Sequence, residues 1–146
     1  KMICIKDNTL SEEDIGKLLI FTTHPMHEFA ESFTIDIDSN NPLVNKIKDQ
    51  AVEKDKFKQI ELAQIVTYPT GSSLHFHFDE ARETTTGASI TFLNDGFVGG
   101  EAALEAIKIS PLTGRTYYFD GKMYKHGVLN VIKGVRHTLS VWYKNG

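Results

Sequence analysis

Leu74-His75-Phe76-His77-Phe78-Asp79 is the stretch on which the fold turns. Its alternation marks a β-strand, with His75, His77 and Asp79 on one face and Phe76 and Phe78 on the other, and the apolar face is expected to meet the core. Outward from it, short alternating runs punctuated by glycine continue to the C-terminus. They predict strands over 60–68, 73–79, 88–94, 103–109, 115–119, 128–132 and 136–143. Before residue 58 the period changes. Ser11 followed by Glu12, Glu13 and Asp14 reads as an N-cap with an acidic first turn, and Ile15, Leu18 and Leu19 extend one face. A helix is therefore predicted over about 11–22, stopped by His24-Pro25. Pro42 opens a second over about 42–57, with Leu43, Val44, Ile47 and Val52 along its apolar side. Short strands are read at 3–5 and 32–37. Roughly seven strands after two helices predict a mainly β (α+β) fold, a jelly-roll double sheet with two supporting N-terminal helices.

The 146 residues carry 16 Lys+Arg and 19 Asp+Glu, a net charge of −3, with 40% hydrophobic and 24% charged residues. Such a chain buries a real core, and a single domain over 1–146 is expected, helical support over about 1–58 and the β core over about 59–146. No basic stripe tracks a phosphate backbone, so nucleic acid is not an expected partner. Cys4 is the single cysteine, which excludes an intramolecular disulfide and fits a reducing compartment. No apolar run approaches the ~20 residues of a bilayer span. A cytoplasmic protein without membrane association is the expectation.

The 6 histidines are the unusual component: His24, His27, His75, His77, His126 and His137. Residues two apart on a strand lie roughly 6.6 Å apart, close enough to share one metal ion, whereas four apart is about twice that. Two pairings follow, His75/His77 and His77/Asp79, each needing a third ligand, for which His126 is the best candidate. Two imidazoles and one carboxylate leave three coordination positions open, as in non-haem Fe(II) oxygenases. Against this stands the plainer possibility that these are ordinary strand histidines, since H-x-D is a weak pattern.

The neighbouring motifs carry a family resemblance. Tyr68-Pro69-Thr70-Gly71-Ser72-Ser73-Leu74-His75-Phe76-His77-Phe78-Asp79 resembles the Y-x-x-G-x-x-L-x-x-H-x-D opening of the Fe(II)/2-oxoglutarate-dependent dioxygenases of the prolyl 4-hydroxylase type. Ile90-Thr91-Phe92-Leu93-Asn94 with Phe97-Val98-Gly99-Gly100-Glu101 is similar to the family's "YLN…GGE", and Pro111 to Gly114 with Phe119 to its "P-x-x-G….F". His126 through Arg136, followed by Ser140-Val141-Trp142-Tyr143, resembles the closing "H…V-x-x-G-x-R…W". The order is the family's own and covers about residues 60–143.

The resemblance implies a double-stranded β-helix and a dioxygenase with Fe(II), 2-oxoglutarate and O2, and ascorbate as reductant. It implies His77, Asp79 and His126 as iron ligands, with His75 left as a neighbour. Arg136 would grip the far carboxylate of 2-oxoglutarate, for which a planar guanidinium is suited, and Tyr68 would offer its hydroxyl. Trp142, His75 and Arg82 would stand around the metal or in the substrate pocket. The chain departs from the family at Phe92, where many relatives have tyrosine, and at Ala102, where many have threonine. An arginine common before "YLN" is also missing, with Thr85 nearest and Arg82 three residues earlier. Ser89, Thr91 or Thr138 are candidate replacements for the missing hydrogen bonds. The polar segment 80–88 is expected to help cover the site. The expected reaction is hydroxylation of an unactivated C–H bond, of a prolyl residue in a peptide or protein, releasing succinate and CO2. A free amino acid or other small molecule is the competing substrate, and a noncatalytic jelly-roll metal-binding module the competing non-enzyme reading.

Overall fold

A computed structural model describes residues 3–23, 32–80 and 82–146, so the helix stop at His24-Pro25 and the histidines His24 and His27 lie outside the described residues. The elements in chain order are β1 (Cys4–Lys6), α1 (Glu12–Leu19), β2 (Phe33–Ile37), α2 (Pro42–Asp49), β3 (Gln59–Tyr68), β4 (Leu74–His77) and β5 (Thr85–Phe92). They continue with β6 (Val98–Gly99), β7 (Ala102–Leu104), β8 (Ile107–Ile109), β9 (Thr116–Phe119), β10 (His126–Val128), β11 (Val131–Lys133) and β12 (Arg136–Lys144). A six-stranded sheet runs β1-β9-β5-β12-β3-β2, a four-stranded sheet β4-β10-β7-β8, and β11 pairs with β6. The pairings are antiparallel, the expected jelly-roll pattern. Among the described residues no helix is long and apolar enough to cross a membrane.

Both faces of the large sheet are covered, and β12 shows how its sequence does two jobs. Leu139, Val141 and Tyr143 join Ile65 of β3 in one core cluster with Ile15 and Leu18 of α1 and Val44 and Ile47 of α2. Alternation sends Arg136, Thr138, Ser140 and Trp142 to the opposite face, where they line a cavity between the sheets. A second cluster closes that side, with Phe92, Tyr117 and Phe119 of the large sheet against Ala102, Leu104 and Ile109 of the small one.

Several elements differ from the sequence expectations, each for a local reason. α1 ends at Leu19 and tightens into a 3₁₀ turn over Ile20–Thr22, with the Thr22 hydroxyl donating to the Leu19 carbonyl. α2 ends at Asp49, where Gln50 and Ala51 donate to the Ile47 and Lys48 carbonyls. Ala51, in phase with Val44 and Ile47, takes the buried position, and Val52 is 55% exposed. The expected strand 103–109 is a hairpin, with Glu105 at φ 52 in its turn and Leu104 opposite Ile107. The expected strand 128–132 divides at Leu129-Asn130, β10 pairing in the four-stranded sheet and β11 with β6. β5 starts at Thr85 because β12 extends far enough to pair with it, Lys144 opposite Thr85.

The largest correction concerns the apolar face of β4. His126 pairs with His77 but Val128 with Leu74, so Gly127 opposes two residues, His75 and Phe76. This β-bulge resets the alternation. Leu74 and His77 both line the cavity, while Phe76 is 44% exposed and Phe78 is 39% exposed. Gly127 is the partner that the bulge allows, since a Cβ there would stand 2.6 Å from the Leu74 carbonyl oxygen.

Candidate active site

The bulge and the β4–β10 pairing bring His77 and His126 side by side, with ring centres 4.4 Å apart. Asp79, two residues beyond His77, places Oδ1 3.5 Å from His77 Nε2 and 3.1 Å from His126 Nε2. One ligand atom from each of the three lies within 4.8 Å of the others. Each imidazole is oriented by its own strand: His77 Nδ1 donates to the His75 carbonyl at 2.9 Å and His126 Nδ1 to the Tyr124 carbonyl at 2.8 Å. A carbonyl can only accept, so each Nε2 is left with the free lone pair that a metal requires. Burial pushes the Asp79 carboxyl up, but the neighbouring His126 and His77 rings more than offset this and hold it below the usual range. Burial pushes His126 down, and the Asp79 carboxylate with the Tyr124 carbonyl more than reverses it. Asp79 Oδ2 is buried without a hydrogen-bond partner. Two imidazoles and a carboxylate on one side of a point form a donor set that fits Fe(II) with three open positions.

Asp79 is held closely. Its N–H donates to the Gly121 carbonyl at 2.9 Å, and a Cβ on Gly121 would stand 2.0 Å from Asp79 Oδ2. Gly121 is a determinant of the site that no motif in the sequence marks.

The three residues line a cavity of about 100 Å³ that Arg136 lines as well. Arg136 is 2% exposed. Nε donates to the Gly100 carbonyl at 2.8 Å, Nη2 is buried without a partner, and the guanidinium lies 5.6 Å from the Tyr68 ring centre and 5.2 Å from that of Phe92. Burial lowers its pKa, offset in part by the Tyr117 and Tyr68 phenols, and no carboxylate among the described residues is paired with it. An unpaired buried charge costs several kcal/mol. That cost is relieved by an anion in the cavity, and a carboxylate is the group a guanidinium fork recognises. Tyr68, opposite Arg136 in the β3–β12 register, lines the same cavity, and burial raises its phenol above the ordinary value.

Asn94 brackets Arg136 along the chain. Its side-chain amide donates to the Val135 carbonyl at 2.8 Å and accepts from the His137 N–H at 2.9 Å. Asn94→Ala removes both bonds and is expected to cost about 1–3 kcal/mol of stability. Denaturant unfolding checks this, and a weaker hold on the anion at Arg136 should accompany it.

Other expected residues divide. Trp142 lines this cavity and also a second, outer one of about 290 Å³ that shares His77 and Asp79 with it. Arg82 lines the outer cavity, 5.8 Å from the Trp142 ring centre and 3.8 Å from a Glu61 oxygen. Glu61 also accepts from Thr84 and Thr85, tying down the end of the polar segment beside the site. His75 lines neither cavity. It is exposed and contributes its carbonyl. Of the proposed replacements, Ser89 and Thr91 point away from the cavity, bonding to Tyr143 and Thr116, because their β5 neighbours Ala88 and Ile90 occupy the cavity side. Thr138 does line it, as do Ser140 and Tyr117, which the motifs did not single out. The parity of β12 could have marked Ser140. Tyr117, inside an aromatic run, reads as core.

Comparisons with known proteins accord with this geometry. Residues 63–144 match the family model described as the 2OG-Fe(II) oxygenase superfamily. No curated protein sequence matches the chain. Among solved structures, the chain is similar to a viral collagen prolyl hydroxylase from Paramecium bursaria Chlorella virus-1 in its 2OG complex, at 19% identity and TM-score 0.77, covering 97% of this chain and 95% of that one. It is also similar to a prolyl-4-hydroxylase of Pseudomonas putida, at 15% identity and TM-score 0.75 over 99% of this chain and 92% of that one. A third is a Trichoplax adhaerens prolyl hydroxylase in complex with a hypoxia inducible factor oxygen degradation domain peptide fragment, at 17% identity and TM-score 0.70 over 98% and 83%.

Proposed function

We propose that this chain, which belongs to the 2OG-Fe(II) oxygenase superfamily and is a 2-oxoglutarate-dependent dioxygenase, hydroxylates a prolyl residue in a peptide or protein. Residues 1–146 act as one catalytic domain. His77, Asp79 and His126 hold the iron, Arg136 and Tyr68 hold the far carboxylate of 2-oxoglutarate, and the outer cavity with Arg82 and Trp142 receives the substrate. Iron with 2-oxoglutarate bound supplies the oxidant, coupling decarboxylation to succinate and CO2 with transfer of one oxygen atom of O2 into a C–H bond. The protein's part is to orient and to keep water out. The Nδ1 bonds of His77 and His126 fix both ligand lone pairs, Arg136 sets the direction in which the 2-oxo acid lies, and the apolar walls of Val66, Leu74 and Ile90 shield it.

The observation that carries this reading is the buried Arg136, its Nη2 without a partner, in the same cavity that His77, Asp79 and His126 line. The peptide substrate rests on similarity to the three prolyl hydroxylases and on the open outer cavity beside the iron position. Ascorbate as reductant is part of the same proposal.

Anaerobic addition of Fe(II) and 2-oxoglutarate should produce a visible charge-transfer absorption, and His126→Ala should abolish it. No band from the wild type, or an equal band from the variant, overturns the ligand assignment. Succinate release measured against proline-rich peptides, free proline and a panel of other amino acids tests the substrate. Stimulation by free amino acids alone would replace the peptide reading with the small-molecule one.

A further inference from the structure

We propose that the Tyr117 hydroxyl is a direct donor to the far carboxylate of 2-oxoglutarate, supplying the phenol that Phe92 lacks. The inference rests on the proposed cosubstrate site. Phe92 stands where many relatives of the resembled family carry tyrosine, with its ring 5.2 Å from the Arg136 guanidinium. Tyr117 stands across the same recess on the adjacent strand, where β9 pairs with β5 and Tyr117 opposes Ile90. The two ring centres are 6.1 Å apart. A phenol moved from one ring to the other therefore still reaches the head of Arg136.

The partners of the Tyr117 hydroxyl point the same way. The ring is buried and lines the cavity, and its hydroxyl meets Arg136 through charge and hydrogen bonding. A guanidinium offers donors only, so Tyr117 accepts there and its own proton is directed elsewhere. Arg136 is the polar side chain with which this hydroxyl interacts. A buried phenol whose proton a guanidinium cannot accept, next to a buried guanidinium with an unpartnered Nη2, makes a pair of donors for one anion. Burial pushes the Tyr117 pKa up to about 12, so the proton stays in place at any pH where the enzyme works. A core aromatic kept for packing would need only its ring, and Phe119 two residues on fills such a place in the same cluster with no hydroxyl.

The test is calorimetric titration of 2-oxoglutarate into Mn(II)-loaded protein without O2. Tyr117→Phe should raise Kd about 10–100-fold, the range for a lost hydrogen bond to a charged group. Its melting temperature in the absence of 2-oxoglutarate should stay close to that of the wild type. Adding Phe92→Tyr to Tyr117→Phe should restore most of the affinity. 2-Oxobutyrate, which lacks the far carboxylate, should bind the wild type and Tyr117→Phe equally weakly. An unchanged Kd for 2-oxoglutarate, or an equal loss for 2-oxobutyrate, would overturn the inference while leaving the proposed function standing. Failure of the wild type to bind 2-oxoglutarate would overturn both.

Discussion

Arg136→Met is expected to make the protein more stable and unable to hold its cosubstrate. The guanidinium is buried, has a vacant Nη2 and faces no carboxylate among the described residues. Methionine keeps the length and apolar stem while removing the charge. Losses oppose this gain: the bond from Nε to the Gly100 carbonyl and the hydrogen bond with the Tyr117 hydroxyl, net contributions of about 1 kcal/mol each, and the two aromatic faces at Tyr68 and Phe92, about 0.5–2 kcal/mol each. Desolvation of an unpaired charge is several kcal/mol, so the balance favours the variant by on the order of 1 kcal/mol, or a few degrees in melting temperature. The binding effect is larger and opposite. A charged, two-pronged grip on a carboxylate in a water-poor cavity is lost, and the 2-oxoglutarate Kd should rise by about 10²–10³. Thermal melts with and without 2-oxoglutarate read both at once. Cosubstrate at about 100 times the wild-type Kd should stabilise the wild type by roughly 2.7 kcal/mol and the variant by about 0.4 kcal/mol or less. A variant that melts lower and is stabilised by 2-oxoglutarate as much as the wild type would refute the assignment.

Gly121→Ala adds one methyl group and should cost about 10–100-fold in Fe(II) affinity, the usual scale for disturbing a residue that supports a ligand. The added carbon would lie 2.0 Å from Asp79 Oδ2 and 2.6 Å from Cγ. The backbone cannot easily retreat, because the Gly121 carbonyl receives the Asp79 N–H. The carboxylate must swing away, and the 3.1 Å approach of Oδ1 to His126 Nε2 is lost with it. Metal titration of Gly121→Ala, Asp79→Gly and the double variant separates this account from general damage. If the methyl acts through the carboxylate, it should have little further effect once Asp79 is glycine. Additive losses would mean that Gly121 matters for some other reason.

Strand spacing alone left His75/His77 and His77/Asp79 both open, with His126 as third ligand; the choice of His77 with Asp79, and the addition of Arg136, came from the ordered series of motifs that resembles the family. The direction of β4 was not legible. H-x-H-x-D interleaved with phenylalanines suggests a buried apolar face, but the pleat is reset by a bulge, whose trace in sequence is one distant glycine, Gly127 opposite His75 and Phe76. Ser89 and Thr91 were plausible cavity residues until the β5–β12 register gave the cavity side to Ala88 and Ile90. Tyr117 could not be separated from Tyr118 in the run Thr116-Tyr117-Tyr118-Phe119. One hydroxyl faces Arg136 and the other donates to the Ile47 carbonyl of α2, a difference of strand parity alone. α2 ended early because Val52 lies one step out of phase with Val44 and Ile47.

β12 divides its two faces between the helices and the cavity, and only Gly134 and Val135 separate it from β11. That two-residue span acts as a ruler. One inserted residue would bring Leu139, Val141 and Tyr143 round into the cavity and turn the side chains of the reactive face toward the helices. Asn94, gripping the backbone on both sides of Arg136, is the pawl that stops the strand from advancing a notch. Length changes in this connection are therefore forbidden by the chemistry and the core together, whereas surface loops farther from it are free to grow.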